Sequence, residues 1–192
     1  AKAIAYAQQH DVVVVAGVGN DGSAQVSYPA KLPGVVAVGA IDESLNIWDN
    51  SNYGSGVTLV APGVNIVRAD TTSASKYAEA NGTSDATAYV SATAALVRAK
   101  YPNLTAGQVV NRLVKSATFL KHEVKKVPDG EYGYGIVRPY VALTKEIPEG
   151  SKEGPLAQAS PSTSTESGST SGDDSPSQTA KGEDGSSSSS VI

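Results

Sequence analysis

The chain has 192 residues with 19 acidic and 15 basic side chains, a formal charge of −4, and neither cysteine nor methionine. Acidic and basic residues balance over positions 1–150, so the excess negative charge lies in 151–192, and no basic surface for nucleic acid is indicated. Disulfides cannot report the compartment, and no apolar stretch approaches the roughly twenty residues that span a bilayer.

In chain order, the composition predicts a helix over residues 2–9, then a strand over 12–16 in the continuous apolar run Val12-Val13-Val14-Val15-Ala16. Such runs suit strands buried on both faces of a parallel sheet. Further strands are expected over 35–41 and 57–60. The polar, turn-rich stretch between them carries Trp48 and Tyr53 as packing anchors, and its Asp42, Glu43 and Asp49 read as a solvated loop with no metal cluster. A long buried helix is predicted over 84–100, where the small residues Ala86, Ala92, Ala94 and Ala95 permit close approach to a sheet, and Pro102 limits it. Thr105 and Gln108 have the spacing of a capping box for the next helix, whose Val109, Val110, Leu113 and Val114 form one apolar face. A last short helix starts near Pro139, a residue suited to a first turn. The alternation predicts an α/β fold. Residues 1–147 form one domain, and 148–192, dominated by Ser, Thr, Gly and Pro, form a disordered linker.

The chemistry centres on Asn81-Gly82-Thr83-Ser84-Asp85-Ala86-Thr87, where a glycine turn feeds the long helix. Unpaired backbone N–H groups and the positive end of the helix dipole favour an oxyanion forming beside Ser84. Upstream, the valine strand ends in Gly17-Val18-Gly19-Asn20. A side-chain amide is a neutral donor that serves developing negative charge at any working pH.

Six segments, in chain order the strand leading to Asn20, Val26-Ser27-Tyr28-Pro29-Ala30, Val35 to Ala40, Ala61-Pro62-Gly63-Val64, the Ser84 motif and Tyr132 to Val137, closely resemble, in the family's order, the C-terminal half of a subtilase catalytic domain, over roughly residues 1–145. The resemblance implies part of a three-layer, parallel-sheet subtilisin-like domain. It implies a serine endopeptidase that hydrolyses peptide bonds of a protein or peptide substrate through an acyl-enzyme and needs no cofactor. Ser84 is the implied nucleophile, with Asn20 and the Ser84 N–H as oxyanion donors. Ala16, Gly17, Val18 and Gly19 form one wall of the first substrate subsite, Ser27 lies at its floor, and Tyr28-Pro29 is a cis peptide. The helix end Ala95 to Pro102 and the Ser-rich tail most resemble membrane-anchored mycosin-type subtilases of actinobacterial type VII secretion. That likeness implies a cell-envelope or secreted location, a membrane anchor following residue 192, and secretion machinery as a partner.

In subtilases the catalytic Asp and His precede the segment that carries Asn20, and here too little chain lies before it. His10 reads as a helix-end residue and His122 as a loop residue beyond the nucleophile. The sequence is therefore expected to be a fragment, opening inside a helix at Ala1, that is inactive and folds poorly alone. The alternative is a catalytically dead homologue kept as a scaffold or binding component, which Asp85 beside the nucleophile favours. A dinucleotide site at Gly17-x-Gly19-x-x-Gly22 with Asp42 is disfavoured. That fingerprint needs a helix at the glycine turn, and none fits before Tyr28-Pro29.

Overall fold

The computed structural model describes residues 1–120 and 122–157. The expected disorder of the tail from 158 onward lies outside the described residues. The first helix, α1 (Lys2–Gln9), leads to strand β1 (Val15–Gly17), followed by β2 (Val36–Ile41) and β3 (Leu59–Pro62). These three strands form a parallel sheet in the order β1-β2-β3, with Val15 opposite Val36 and Val38 opposite Leu59. An antiparallel hairpin follows, β4 (Ile66–Ala69) and β5 (Tyr77–Ala80), and then helices α2 (Thr83–Lys100), α3 (Ala106–Ser116) and α4 (Pro139–Thr144).

Strand β2 is buried along its whole length because both of its faces are covered. Val36, Val38 and Ala40 point toward a cluster that includes Ala86, Val90 and Val97 of α2 and Val109 and Leu113 of α3. Ala37 and Ile41 point the other way, into a second cluster with Val18, Val60, Tyr132 and Ile136. Side chains alternate along a strand, so two covered faces require an unbroken apolar run. Beyond β3, the segment at Ile136 extends the sheet. Val60 donates its N–H to Gly135 at 3.1 Å, and Val137 donates to Val60 at 2.9 Å.

Helix α2 turns Ala86, Val90, Ala94 and Val97 inward, a spacing of three or four that keeps one stripe on the sheet. The expected strands at 12–16 and 57–60 are shifted slightly toward the C-terminus. The ladder already begins at Val14, whose carbonyl accepts from Val36 at 2.9 Å. The capping box forms as the spacing predicts, with Gln108 N–H donating to Thr105 Oγ1 at 3.2 Å and Thr105 N–H to Gln108 Oε1 at 3.0 Å. Trp48 packs against the first cluster, whereas Tyr53 is partly exposed and belongs to neither cluster.

Helix α3 departs from a simple one-sided pattern, because Gln108, Asn111 and Arg112 are buried along with its apolar stripe. Buried polar groups must be hydrogen-bonded, and here the partners include backbone carbonyls of α4 and of the chain that follows it. Arg112 donates to the carbonyls of Ala142 and Lys145, each at 2.6 Å, and Asn111 donates to those of Pro148 and Glu149 at 3.0 Å. Thr105 Oγ1 donates to the Lys152 carbonyl at 2.7 Å. Residues 148–156, which composition groups with the linker, thus form a strap against α3. A β-carbon on Gly107 would overlap the strap at Lys152 to Gly154, and one on Gly154 would overlap the Gly107 backbone.

Candidate active site

The carboxyl end of β1 and the amino end of α2 meet at Thr83. A β-carbon on Gly17 would lie 2.7 Å from Thr83 Oγ1, so only glycine lets the helix start sit directly on the strand end. The Gly82 N–H donates to the Gly63 carbonyl at 2.7 Å. Ser84 is then the second residue of α2 and is exposed. Its N–H is among the first-turn donors that an α-helix cannot satisfy internally.

Asn20 is held by the residue before Ser84. The Thr83 N–H and the Thr83 hydroxyl both donate to Asn20 Oδ1, each at 2.9 Å. Because a backbone N–H can only donate, the oxygen end of the amide must face Thr83, and the NH₂ end is left pointing away. That NH₂ has no hydrogen-bond partner among the described residues. The Thr83 hydroxyl also accepts from the Gly19 N–H at 3.4 Å, so one side chain joins strand end, loop and helix start.

Behind this pair stands Asn52, which is buried. Its Oδ1 accepts from the N–H groups of Asp21 at 2.9 Å and Ser23 at 3.0 Å, and its Nδ2 donates to Ser27 Oγ at 3.3 Å. Gly19, at φ +111°, passes so close to Asn52 and Ser27 that a β-carbon there would overlap both. Neither Thr83 nor Asn52 stands out from sequence alone. Thr83 lies inside the recognised motif, but its second role depends on a contact with Asn20 across more than sixty positions of sequence. Asn52 sits in a polar loop with no spacing that marks it.

The other expected site residues are placed as follows. Ala16 and Val18 are buried, with their side chains in the second core cluster, so only their backbone can face a ligand. The Val18 carbonyl accepts from Ser27 at 2.8 Å, which brings the Ser27 segment alongside the end of β1. Tyr28-Pro29 is cis. No helix follows the glycine turn at 17–22, as the reading against a dinucleotide site requires.

Neither histidine approaches Ser84. His10 Nδ1 pairs with the Tyr6 carbonyl at 2.8 Å at the end of α1. His122 Nε2 pairs with the Leu45 carbonyl at 2.8 Å and the Tyr132 hydroxyl at 3.2 Å, on the far side of the sheet from α2. Asp85 pairs with Arg68 of β4 at 3.9 Å. A cleft of about 420 Å³ lies at the amino ends of the strands, among Gln8, Asp11, Val12, Thr105 and Lys152, and Ser84 is not part of it. No group of three His, Cys, Asp or Glu side chains among the described residues is placed to hold a metal ion.

Comparison with known proteins gives this arrangement a family. Residues 1–135 match the Peptidase S8 model of the subtilase family. Subtilisin BL from Lederbergia lenta is 44% identical over 119 residues, which are 62% of this chain and 44% of that protein. Mycosin-2 from Mycobacterium tuberculosis (strain ATCC 25618 / H37Rv) is 37% identical over 185 aligned positions, covering 78% of this chain and 33% of that protein. Among solved structures, the prenylagaramide maturation protease PagA superposes with a TM-score of 0.64 at 33% identity, over 74% of this chain and 53% of that one. A lanthipeptide protease gives 0.66 at 31% identity over the same shares. The chain thus spans about half or less of the proteins it matches. It belongs to the subtilase family of serine proteases.

Proposed function

We propose that residues 1–147 are the nucleophile-bearing half of a subtilisin-like serine endopeptidase. Ser84 Oγ gives its proton to a histidine base as it attacks the carbonyl carbon of a peptide bond, and the protonated histidine passes that proton to the amine as the C–N bond breaks. Water then hydrolyses the acyl-enzyme. The histidine and its orienting aspartate come from a part of the polypeptide outside residues 1–192, so the segment alone does not hydrolyse peptides. The limited share of each relative that this chain covers supports that reading.

The observation that carries the proposal is the grip on Asn20. With Oδ1 occupied twice by Thr83, the free NH₂ and the Ser84 N–H are the two donors available to an oxyanion at Ser84. Ala16 to Gly19 and Ser27 line the first subsite of a protein or peptide substrate. The match to Mycosin-2 and the Ser-rich tail support a protein of the cell envelope, anchored in the membrane beyond residue 192 and working beside secretion machinery. No helix among the described residues is long and apolar enough to cross a membrane.

A fluorophosphonate probe tests the assignment. The complete gene product is labelled at Ser84, as located by peptide mass spectrometry, and Ser84→Ala abolishes labelling. Labelling that persists at another residue overturns the assignment. The scaffold reading, which Asp85 favours, gains if the coding region upstream of Ala1 is broken in frame or lacks either an Asp-bearing strand end or a His-Gly motif.

A further inference from the structure

Asp85 follows the proposed nucleophile directly, and its side chain is only 12% exposed. Nothing in the reaction uses it. A β-carbon on Gly82 would stand 3.0 Å from Ser84 Oγ and 3.3 Å from Asp85 Oδ2, so both oxygens border one small space above that glycine. They are therefore no more than about 6 Å apart, close enough for a full negative charge to oppose an oxyanion that forms there.

The hairpin β4–β5 supplies the countercharge. Its base is tied to the nucleophile turn, because the Asn65 N–H donates to Asn81 Oδ1 at 2.6 Å. Two residues beyond the start of β4, Arg68 Nη1 reaches Asp85 Oδ1 at 3.9 Å, while its own side chain is 59% exposed. This is the one ion pair of Asp85 among the described residues. At such a distance and exposure it adds little to stability. Its position matters more, since it is contributed by a separate element and meets the carboxylate at Oδ1. The other oxygen, Oδ2, is left on the Gly82 side with Ser84.

We propose that Arg68 is a positioning residue of the active site: by pairing with Asp85 it neutralises and holds the carboxylate beside Ser84, so that negative charge does not oppose the oxyanion during acyl transfer. This inference rests on Ser84 being the nucleophile. It explains how an acidic residue is tolerated next to Ser84, the feature that otherwise favours an inactive scaffold.

The test is a set of steady-state measurements on a peptide substrate with the complete gene product. Arg68→Ala lowers kcat about ten-fold, a size set by a partly screened charge at this range, and leaves KM within about two-fold. Arg68→Lys, which keeps the charge, retains kcat within about three-fold. Adding Asp85→Asn to Arg68→Ala restores kcat to within about two-fold of the parent, because the charge that needed neutralising is gone. A loss that persists in the double variant, or one expressed in KM alone, overturns the proposal in favour of a structural or substrate-contacting arginine. Ser84-dependent catalysis that is unaffected by Arg68→Ala overturns this proposal alone. Catalysis that survives Ser84→Ala overturns the nucleophile assignment and this proposal with it.

Discussion

The two ends of the parallel sheet are built from similar parts but finished differently. At the carboxyl end, Thr83 and Asn52 satisfy the loop groups around Asn20 and yet leave the Asn20 NH₂ and the Ser84 N–H without partners among the described residues. At the amino end, the Ala106 and Gln108 N–H groups at the start of α3 are taken up by side chains. Asp11, at φ +58°, accepts from the Ala106 N–H at the start of α3 and from Arg98 Nη2 at 2.6 Å near the end of α2. The strap at 148–156 covers the same helix start. The α3 N-terminus is capped by Thr105 and Asp11 and covered by the strap, whereas at the α2 N-terminus the Ser84 N–H is left open with a hydroxyl beside it. Capping stabilises, and an uncapped, pre-positioned donor pair is what anion stabilisation needs. On the proposed function, this difference assigns the chemistry to the carboxyl end.

Substitutions at the two ends should separate activity from stability. The largest effect is expected from Asn20→Ala in the complete gene product, which removes the free donor. Loss of such an asparagine in subtilisin lowers turnover about 10²–10³-fold, and a similar fall in kcat with little change in KM is expected here. The thermal midpoint should move far less than activity does. A fall in KM-limited binding with unchanged kcat would place Asn20 outside the oxyanion site.

Gly107→Ala should do the reverse. The added carbon meets the strap backbone at Lys152 to Gly154, so the strap must shift and its bonds to Thr105, Gln108 and Asn111 are strained. A loss of about 1–3 kcal/mol is expected in chemical denaturation, with kcat unchanged at temperatures where the protein stays folded. Accelerated proteolysis near residue 150 would report the released strap.

The smallest effect concerns pH. Burial tends to raise the Asp11 carboxyl, but the hydrogen bonds from Ala106 and Arg98 and the charge of Arg98 outweigh it, so the group sits below its ordinary value. A carboxylate depressed in the folded state contributes stability above its unfolded pKa of about 3.9, and that contribution is lost as pH falls through the folded value. Asp11→Asn should therefore lower the thermal midpoint at pH 7 by a few degrees and flatten its decline in acid below about pH 4. An unchanged acid limb would show that the Arg98 and Ala106 contacts do not persist in solution.

Much of the framework could be read from residue patterns because it is local. Val36 to Ile41 announce burial on both faces, whereas the valine run, read the same way, is only partly buried and leaves Val12 exposed; Thr105 and Gln108 announce a helix start, and Pro139 marks another. The Ser84 motif could be read because a glycine turn and a small-residue helix are adjacent in sequence. The hairpin Ile66–Ala69 and Tyr77–Ala80 escaped notice: it is short, mostly exposed, and its turn of Asp, Thr, Ser, Ala and Lys carries no Asn-Gly or Asp-Gly signal. The strap escaped for a different reason. Its Pro, Gly and charged residues look like linker, and what holds them is buried polar side chains of α3, a contact that composition does not encode. Thr83, Asn52 and Arg68 likewise take their meaning from partners at least sixteen positions away in the chain.

The central claim, that Asn20 and Ser84 form one catalytic unit, is tested most directly by determining the structure of the complete gene product after reaction with a peptidyl phosphonate. The account predicts a covalent bond from Ser84 Oγ to phosphorus, with one phosphonyl oxygen within about 3 Å of both Asn20 Nδ2 and the Ser84 N–H. An adduct whose oxygen turns away from Asn20, or no adduct at Ser84, would contradict it.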